Sequence, residues 1–478
     1  MFKKALKKVS LKTWIIIGLA AVIALTLALV MIITASLSDE KRLEYELKED
    51  GTYEVVSIKN TYRGGWFAKD TLVVPSTYKG VAVTSIKSLH LQKTKNLVIS
   101  DGITSINQAA FEKSSLETIK LPGTLTKLGD NAFNQCYYLK KVEIPSGITY
   151  IPVMAFQFCI NLETVTFKGN VTMINEYAFN GCEKLSSIDI PESVVEFGAL
   201  SFAGCSSLTH FDISQYVEAI GEGAFDECTA LVSFDVDEEN VNYSSKDGIL
   251  YNKAQTSIIN IPMGVTSVTV PDTITQLSAS AFANRTKLEH VTLSSSLTSI
   301  SANVFNGCTA LVYKEEGGLK YLGCTGNDYF ALMGTSEATA TYSINSNTVL
   351  VAARAFANCT SLVSISIPES VKSIGSNAFM SCAALTTVNI PSQVTTIESN
   401  TFNDCKSLTQ ITIPATITRI NANAFKDCKN LANVTFQDTT ADWKVGQETI
   451  EASILADAAQ AAKLLTDTHL TKVWIKAA

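Results

Sequence analysis

Along most of the chain, apolar residues come in pairs separated by one polar residue, as in Val142/Ile144, Ile188/Ile190, Ile365/Ile367 and Val388/Ile390. A period of two predicts a short strand with one buried face. Proline often follows the pair (Pro145, Pro191, Pro368, Pro391, Pro414). It ends the strand because it has no N–H to give to a ladder. A second apolar pair, such as Val371 and Ile374, then leads to an Ala-Phe step. Each unit is therefore expected to hold one short strand, a turn, and a tight half-helical return that carries the phenylalanine.

The phenylalanines set the period. They fall at 111, 133, 156, 179, 202 and 225, then 282 and 305, then 356, 379, 402 and 425. Within those groups the spacing is 23 residues, with a single 22. Leucine follows six residues after nearly every one, from Leu139 to Leu431. A fixed period in this range means stacked units, each burying its apolar face only against its neighbours.

The stretch IPESVKSIGSNAFMSCAALTTVNIPSQVTTIESNTF resembles the BspA-type (Treponema-type) leucine-rich repeat, whose phrase runs IP-x-x-V-x-x-I-x-x-x-A-F-x-x-C-x-x-L. The resemblance covers roughly residues 80 to 436. It implies a curved, β-rich solenoid with a parallel sheet on the concave face and short helical or irregular returns. It also implies a surface protein, since members of this kind are often bacterial and act in adhesion.

The repeats are placed at 96–436, with insertions at about 237–262 and 312–347. Each insertion has a glycine turn between strand-like runs (GILY, GGLKYLG). They read either as β-hairpin modules or as modified turns of the same spiral. Residues 39–95 are strand-rich and lack the Phe-Cys phrase, which suits an N-terminal cap. Residues 437–478 are expected to cap the other end, with a helix in 447–465 and a final strand in TKVWIK. A repeat stack needs such ends, because an open terminal coil is an exposed apolar edge.

Residues 13–38 contain no charge, and a bilayer is spanned by roughly 20 apolar residues. The lysines of residues 1–12 precede this run, so the positive-inside rule predicts a cytoplasmic tail, a transmembrane signal anchor and an external C-terminal ectodomain at the cell membrane. Small residues at Ser36–Ser38 leave secretion after cleavage near Ser38 as the alternative. The formal charge is −7, and five lysines lie within the first twelve residues. The remainder is thus strongly acidic, which argues against nucleic acid as a partner.

Candidate chemistry is sparse. Ten of the eleven cysteines lie three residues after a phenylalanine, Cys324 being the exception. Spaced one repeat apart, they form a column rather than the converging set that zinc needs. Parallel stacked side chains are also badly aimed for disulfides. Packing as small buried hydrophobes fits better. Phosphate-binding glycine loops, H-E-x-x-H, EF-hand patterns and G-x-S-x-G are absent from the sequence. No enzyme activity, metal or cofactor is expected.

The outward strand positions are more telling. Eight and ten residues after phenylalanine lie Lys141/Glu143, Asp189, His210/Asp212, Asp235 and His290. In-register stacking is expected to bring Asp189, Asp212 and Asp235 about 5 Å apart. That ladder suits a cation or a basic partner segment, or it is simply a solvated acidic stripe. Further along, the same positions are rich in Ser, Thr and Asn, suited to a protein or glycan ligand. Two roles fit: a binding module for adhesion or protein–protein interaction through the concave face, or an envelope scaffold that organises the producer's own surface components.

Overall fold

The computed structural model describes residues 19–20, 22–26, 38–59, 70–279 and 281–477. The run expected to cross a membrane, 13–38, falls largely outside them. No described helix is long and apolar enough to cross a membrane. Two compact units divide the chain, Met1–Asn242 and Tyr243–Ala478. Each is built of stacked β-coils.

One coil shows why the sequence folds this way. In Lys141–Ile144, Val142 and Ile144 are buried while Lys141 and Glu143 are exposed. The strand pairs in parallel with Thr164–Phe167, each residue opposite its counterpart 23 positions on. Phe133, Leu139 and Ile151 of the same coil are likewise fully buried. Burying a side chain of this size contributes about 1.5–3 kcal/mol, and the gain repeats with every coil. Neighbouring phenylalanines stack at about the strand spacing: Phe133 and Phe156 rings lie 5.2 Å apart at 8°, Phe379 and Phe402 5.5 Å apart at 7°.

Two features differ from expectation. Each coil carries a second strand of two residues, as at Tyr150–Ile151, paired in parallel with Met173–Ile174. The second apolar pair of each repeat is thus itself ladder-forming. The returns are not half-helical. The residues two before and two after the phenylalanine are left-handed, as at Asn131 (φ 58°) and Gln135 (φ 60°), Met154 and Phe158, or Asn377 and Ser381. This alternation turns the N–H groups of the return one way, onto the next coil. Asn131, Phe133 and Gln135 donate to the carbonyls of Val153, Ala155 and Gln157 at 2.9, 2.8 and 2.7 Å. Within uninterrupted runs of coils this ladder pins a return to its neighbour, so no helix is needed.

In the first unit, Leu43–Leu47 and Tyr53–Ile58 form an antiparallel hairpin whose second strand joins Val81–Ile86 in parallel. The parallel sheet already includes Thr71–Val74, which pairs with Asn96–Ile99, inside the segment assigned to the cap. The alternation in TLVV suffices for a rung without the Phe-Cys phrase. Thr118–Lys120, Lys141–Ile144 and Thr164–Phe167 extend that sheet. His210–Ile213 and Ser233–Val236 form a separate pair.

In the second unit both insertions are antiparallel. Tyr243–Lys246, Ile249–Asn252 and Ile258–Asn260 form a meander. Lys314–Glu316, Leu319–Cys324 and Asn327–Thr335 form another, whose last strand runs parallel to Leu350–Val351. The second insertion is therefore a hairpin that also supplies a rung. At the C-terminus, Trp443–Val445 pairs with Glu448–Ile450 and with Trp474–Lys476, which closes on Arg419–Ile420. Glu448–Ile450 is a strand, where composition suggests helix: Ile450 stands opposite buried Trp443 in the ladder. The helices Ala452–Leu455 and Ala458–Lys463 follow, the second capped by Asp457.

Candidate functional site

The cysteine column is structural, and it does more than fill space. Cys136, Cys159, Cys182, Cys205 and Cys228 are fully buried and free. Each Sγ donates to the carbonyl of the phenylalanine one coil back, as Cys159 to Phe133 at 3.2 Å and Cys182 to Phe156 at 3.3 Å. In the second unit Cys382, Cys405 and Cys428 do the same with Phe356, Phe379 and Phe402. Burial pushes the thiols up, to about 12 for Cys136, Cys228, Cys382 and Cys428, so they are poor nucleophiles. Two repeats without cysteine explain the phase. Ser114 Oγ donates to Leu89 O at 3.2 Å, and Arg285 Nε to Ile261 O at 2.8 Å. The position calls for a hydrogen-bond donor, and the signal lay in which residues replaced the cysteine.

The expected outward residues are exposed, but they form no single cluster. Lys141 stands opposite Thr164 and Glu143 opposite Thr166. Glu143 pairs with Lys168 at 3.3 Å. Asp189 does not join the ladder: Ser186–Ile190 forms no strand, and Ile188 and Ile190 are only half-buried. Asp212 and Asp235 do stand in register, with His210 opposite Ser233 on the same pair of strands. His210 Nδ1 lies 3.0 Å from Thr209 Oγ1. Neither aspartate has a salt bridge among the described residues. His290 belongs to the second unit, opposite Ser267, and lines a cleft of about 300 Å³ with Lys314, Tyr321 and Asp328.

A broad concavity on an outward strand face lies in the C-terminal repeats. A groove of about 670 Å³ is walled by Ser366, Thr387, Asn389, Gln410, Thr412, Asn433 and Thr435. Asn389 is fixed there: its Nδ2 donates to Ile367 O at 2.7 Å, and its Oδ1 accepts from Ile367 N–H at 2.8 Å. The side chain thereby replaces a missing strand rung. Glu369 and Gln437, beyond the strand positions, complete the rim. The hydroxyl and N–H of Ser392 donate to Glu369 at 2.7 and 2.8 Å and hold its carboxyl below the usual range. Both residues sit just past a strand end, outside the alternation that marked the face. Among the described residues, no group of three or more His, Cys, Asp or Glu is placed to hold a metal.

The family description "BspA type Leucine rich repeat region (6 copies)" matches residues 87–206, 151–268, 263–315 and 329–449. No curated protein matches the chain. Among solved structures, the pneumococcal vaccine antigen PcpA aligns at 18% identity over 83% of this chain and 92% of its own, with a TM-score of 0.41. A leucine-rich repeat protein from Eubacterium ventriosum aligns at 21% identity over 81% and 92%, with a TM-score of 0.37. One from Bacteroides ovatus aligns at 22% over 83% and 87%, with a TM-score of 0.34. Repeat phrase, stacked coils and family match coincide over most of the sequence, and the chain belongs to the BspA-type leucine-rich repeat family.

Proposed function

We propose that this protein is a non-catalytic binding module at the bacterial cell surface, anchored by residues 13–38, that holds a protein or glycan partner on the outward face of its strands. The observation that carries the reading is the polar groove of the C-terminal repeats. Its hydroxyls and amides stand on strands whose other face is locked in the core, so they are preorganised at little entropic cost on binding. Short Ser, Thr, Asn and Gln side chains supply donors and acceptors without committing to one charge, which suits sugar hydroxyls and peptide amides alike. The charge-free run 13–38, with lysines before it, supports the anchor.

The test is capture by the full-length chain in detergent. Host matrix proteins, arrayed glycans and the producer's own envelope extract are offered separately, to wild type and to Thr412→Arg. The arginine projects into the groove from an exposed position. A partner held there should bind the variant at least tenfold more weakly. Equal capture by both proteins from every source would defeat the groove assignment. Capture from the producer's envelope alone would favour a scaffold over an adhesin.

A further inference from the structure

The return ladder of the second unit is interrupted at the second insertion, and the break leaves unmatched groups on both sides. In continuous stretches the amides of each return donate to the next coil, as Arg354, Phe356 and Asn358 do to Ser376, Ala378 and Met380. After Phe305 the next return belongs to Phe356, because Asn327–Thr335 supplies a rung in extended form. Among the described residues, the amides of Asn303, Phe305 and Gly307 therefore donate to nothing. On the far side of the break the carbonyls of Ala353, Ala355 and Ala357, which stand in the acceptor phase of the Phe356 return, likewise receive nothing.

One end of each row, Asn303 and Phe305 on one side and Ala353 on the other, borders a real space. A cleft of about 340 Å³ is lined by Asn303, Phe305, Met333, Gly334 and Ala353. Ala353 N–H bonds Ile300 O at 3.2 Å and pinches one edge. Lys320 stands at the rim, its Nζ 5.7 Å from the Tyr313 ring and 3.9 Å from Glu315. That volume lies within the range of ligand sites, roughly 300–1,000 Å³. Donors on one wall and an acceptor on the other match one ligand class above others, a peptide backbone, which presents both at the same repeat. Successive N–H groups in alternating right- and left-handed conformation also attract negative charge.

We propose that this cleft binds a short acidic peptide segment through its backbone, in place of the missing rung. The peptide carbonyls accept from Asn303, Phe305 and Gly307, its amides donate to Ala353 and Ala355, and an Asp or Glu side chain meets Lys320. This site is separate from the groove of the C-terminal repeats, and its fate does not depend on that groove.

The experiment titrates the full-length chain with acetyl-Gly-Ala-Glu-Ala-Gly-amide, its Gln counterpart, and a form N-methylated at both alanines, read by calorimetry and by thermal shift. Gly334→Leu supplies the block. A Cβ at Gly334 meets only Ala355 O, at 3.8 Å, and the backbone there is not left-handed, so a side chain is admitted at a residue that lines the cleft. The Glu peptide should bind saturably, and about tenfold more weakly to Gly334→Leu and when N-methylated. Lys320→Gln should erase a preference of about threefold for Glu over Gln. Should Gly334→Leu fail to fold, the N-methyl and Lys320→Gln comparisons decide alone. No saturable binding, or binding indifferent to N-methylation and to both substitutions, overturns the proposal.

Discussion

The thiol of Cys182 donates to the carbonyl of Phe156, one coil back, at 3.3 Å. That carbonyl also accepts the N–H of Cys159, so the thiol supplies its second hydrogen bond in a site closed to water. If the phase demands a donor, Cys182→Ser should change stability by less than about 1 kcal/mol. Cys182→Ala loses both the bond and the sulfur's volume, and should cost about 1–3 kcal/mol. Urea midpoints measure both. A serine variant less stable than the alanine variant would show that apolar packing alone governs the column.

The same burial sets an alkaline limit. The fold favours the neutral thiol, raising its pKa from near 9 to about 12 at Cys136, Cys228, Cys382 and Cys428. The stabilisation is complete below pH 9 and is lost as pH climbs from there towards 12, because the unfolded chain ionises first. Cys228→Ser should therefore flatten the fall of Tm between pH 8 and 11. At pH 8, iodoacetamide should label half-buried Cys308 and Cys359 well before the buried thiols. Uniform labelling would contradict the closed column.

The left-handed positions beside each phenylalanine offer gains. Lys113 is exposed yet held at φ 57°, and its ion pair with Glu112 lies on the surface, where such pairs contribute little. A non-glycine residue pays about 1 kcal/mol or more for this backbone. Lys113→Gly should therefore be neutral to stabilising by up to about 1 kcal/mol, and Lys113→Val destabilising by about 1–3 kcal/mol. Thermal melts should place Lys113→Gly at or above wild type and Lys113→Val below it. Equal losses would mean the strain is not where the dihedrals put it.

Asp212 and Asp235 stand directly opposite in a parallel pair, and like charges so placed repel. Asp235→Asn should raise stability by about 0.2–1 kcal/mol at low salt, with the gain fading at high salt. A variant that is more stable but binds a basic partner more weakly would mark the pair as kept for recognition. A loss of stability would show instead that the carboxylates are held by contacts that favour them.

Much of this fold is legible because identity is tied to phase: Phe, Leu and the strand pairs recur every 23 residues, and each has one place to pack. What stayed hidden depends on coil-to-coil geometry. Asp189 has the right phase, but Ser186–Ile190 forms no strand, and a period specifies the order of rungs without guaranteeing that each one pairs. The left-handed returns did leave a trace, in Asn131, Asn377, Asn400, Asn423, Gly181, Gly204 and Gly307 beside their phenylalanines. Asn and Gly tolerate positive φ best, so the flanking composition was the signal. The groove was half legible, because its floor follows the alternation whereas Glu369 and Gln437 lie past strand ends.

Because the return amides point towards the following coil, such a stack has a direction, like a polymer whose two ends are chemically unlike. Its terminators cannot be exchanged. At the start a donor is needed, and Leu89 N–H meets Ala110 O at 2.6 Å. At the finish an acceptor is needed, and Leu470 O receives Asn423 N–H at 2.6 Å. Whole coils duplicated between such terminators lengthen the array without asking anything new of either one, so length is the property most freely varied in a protein built this way.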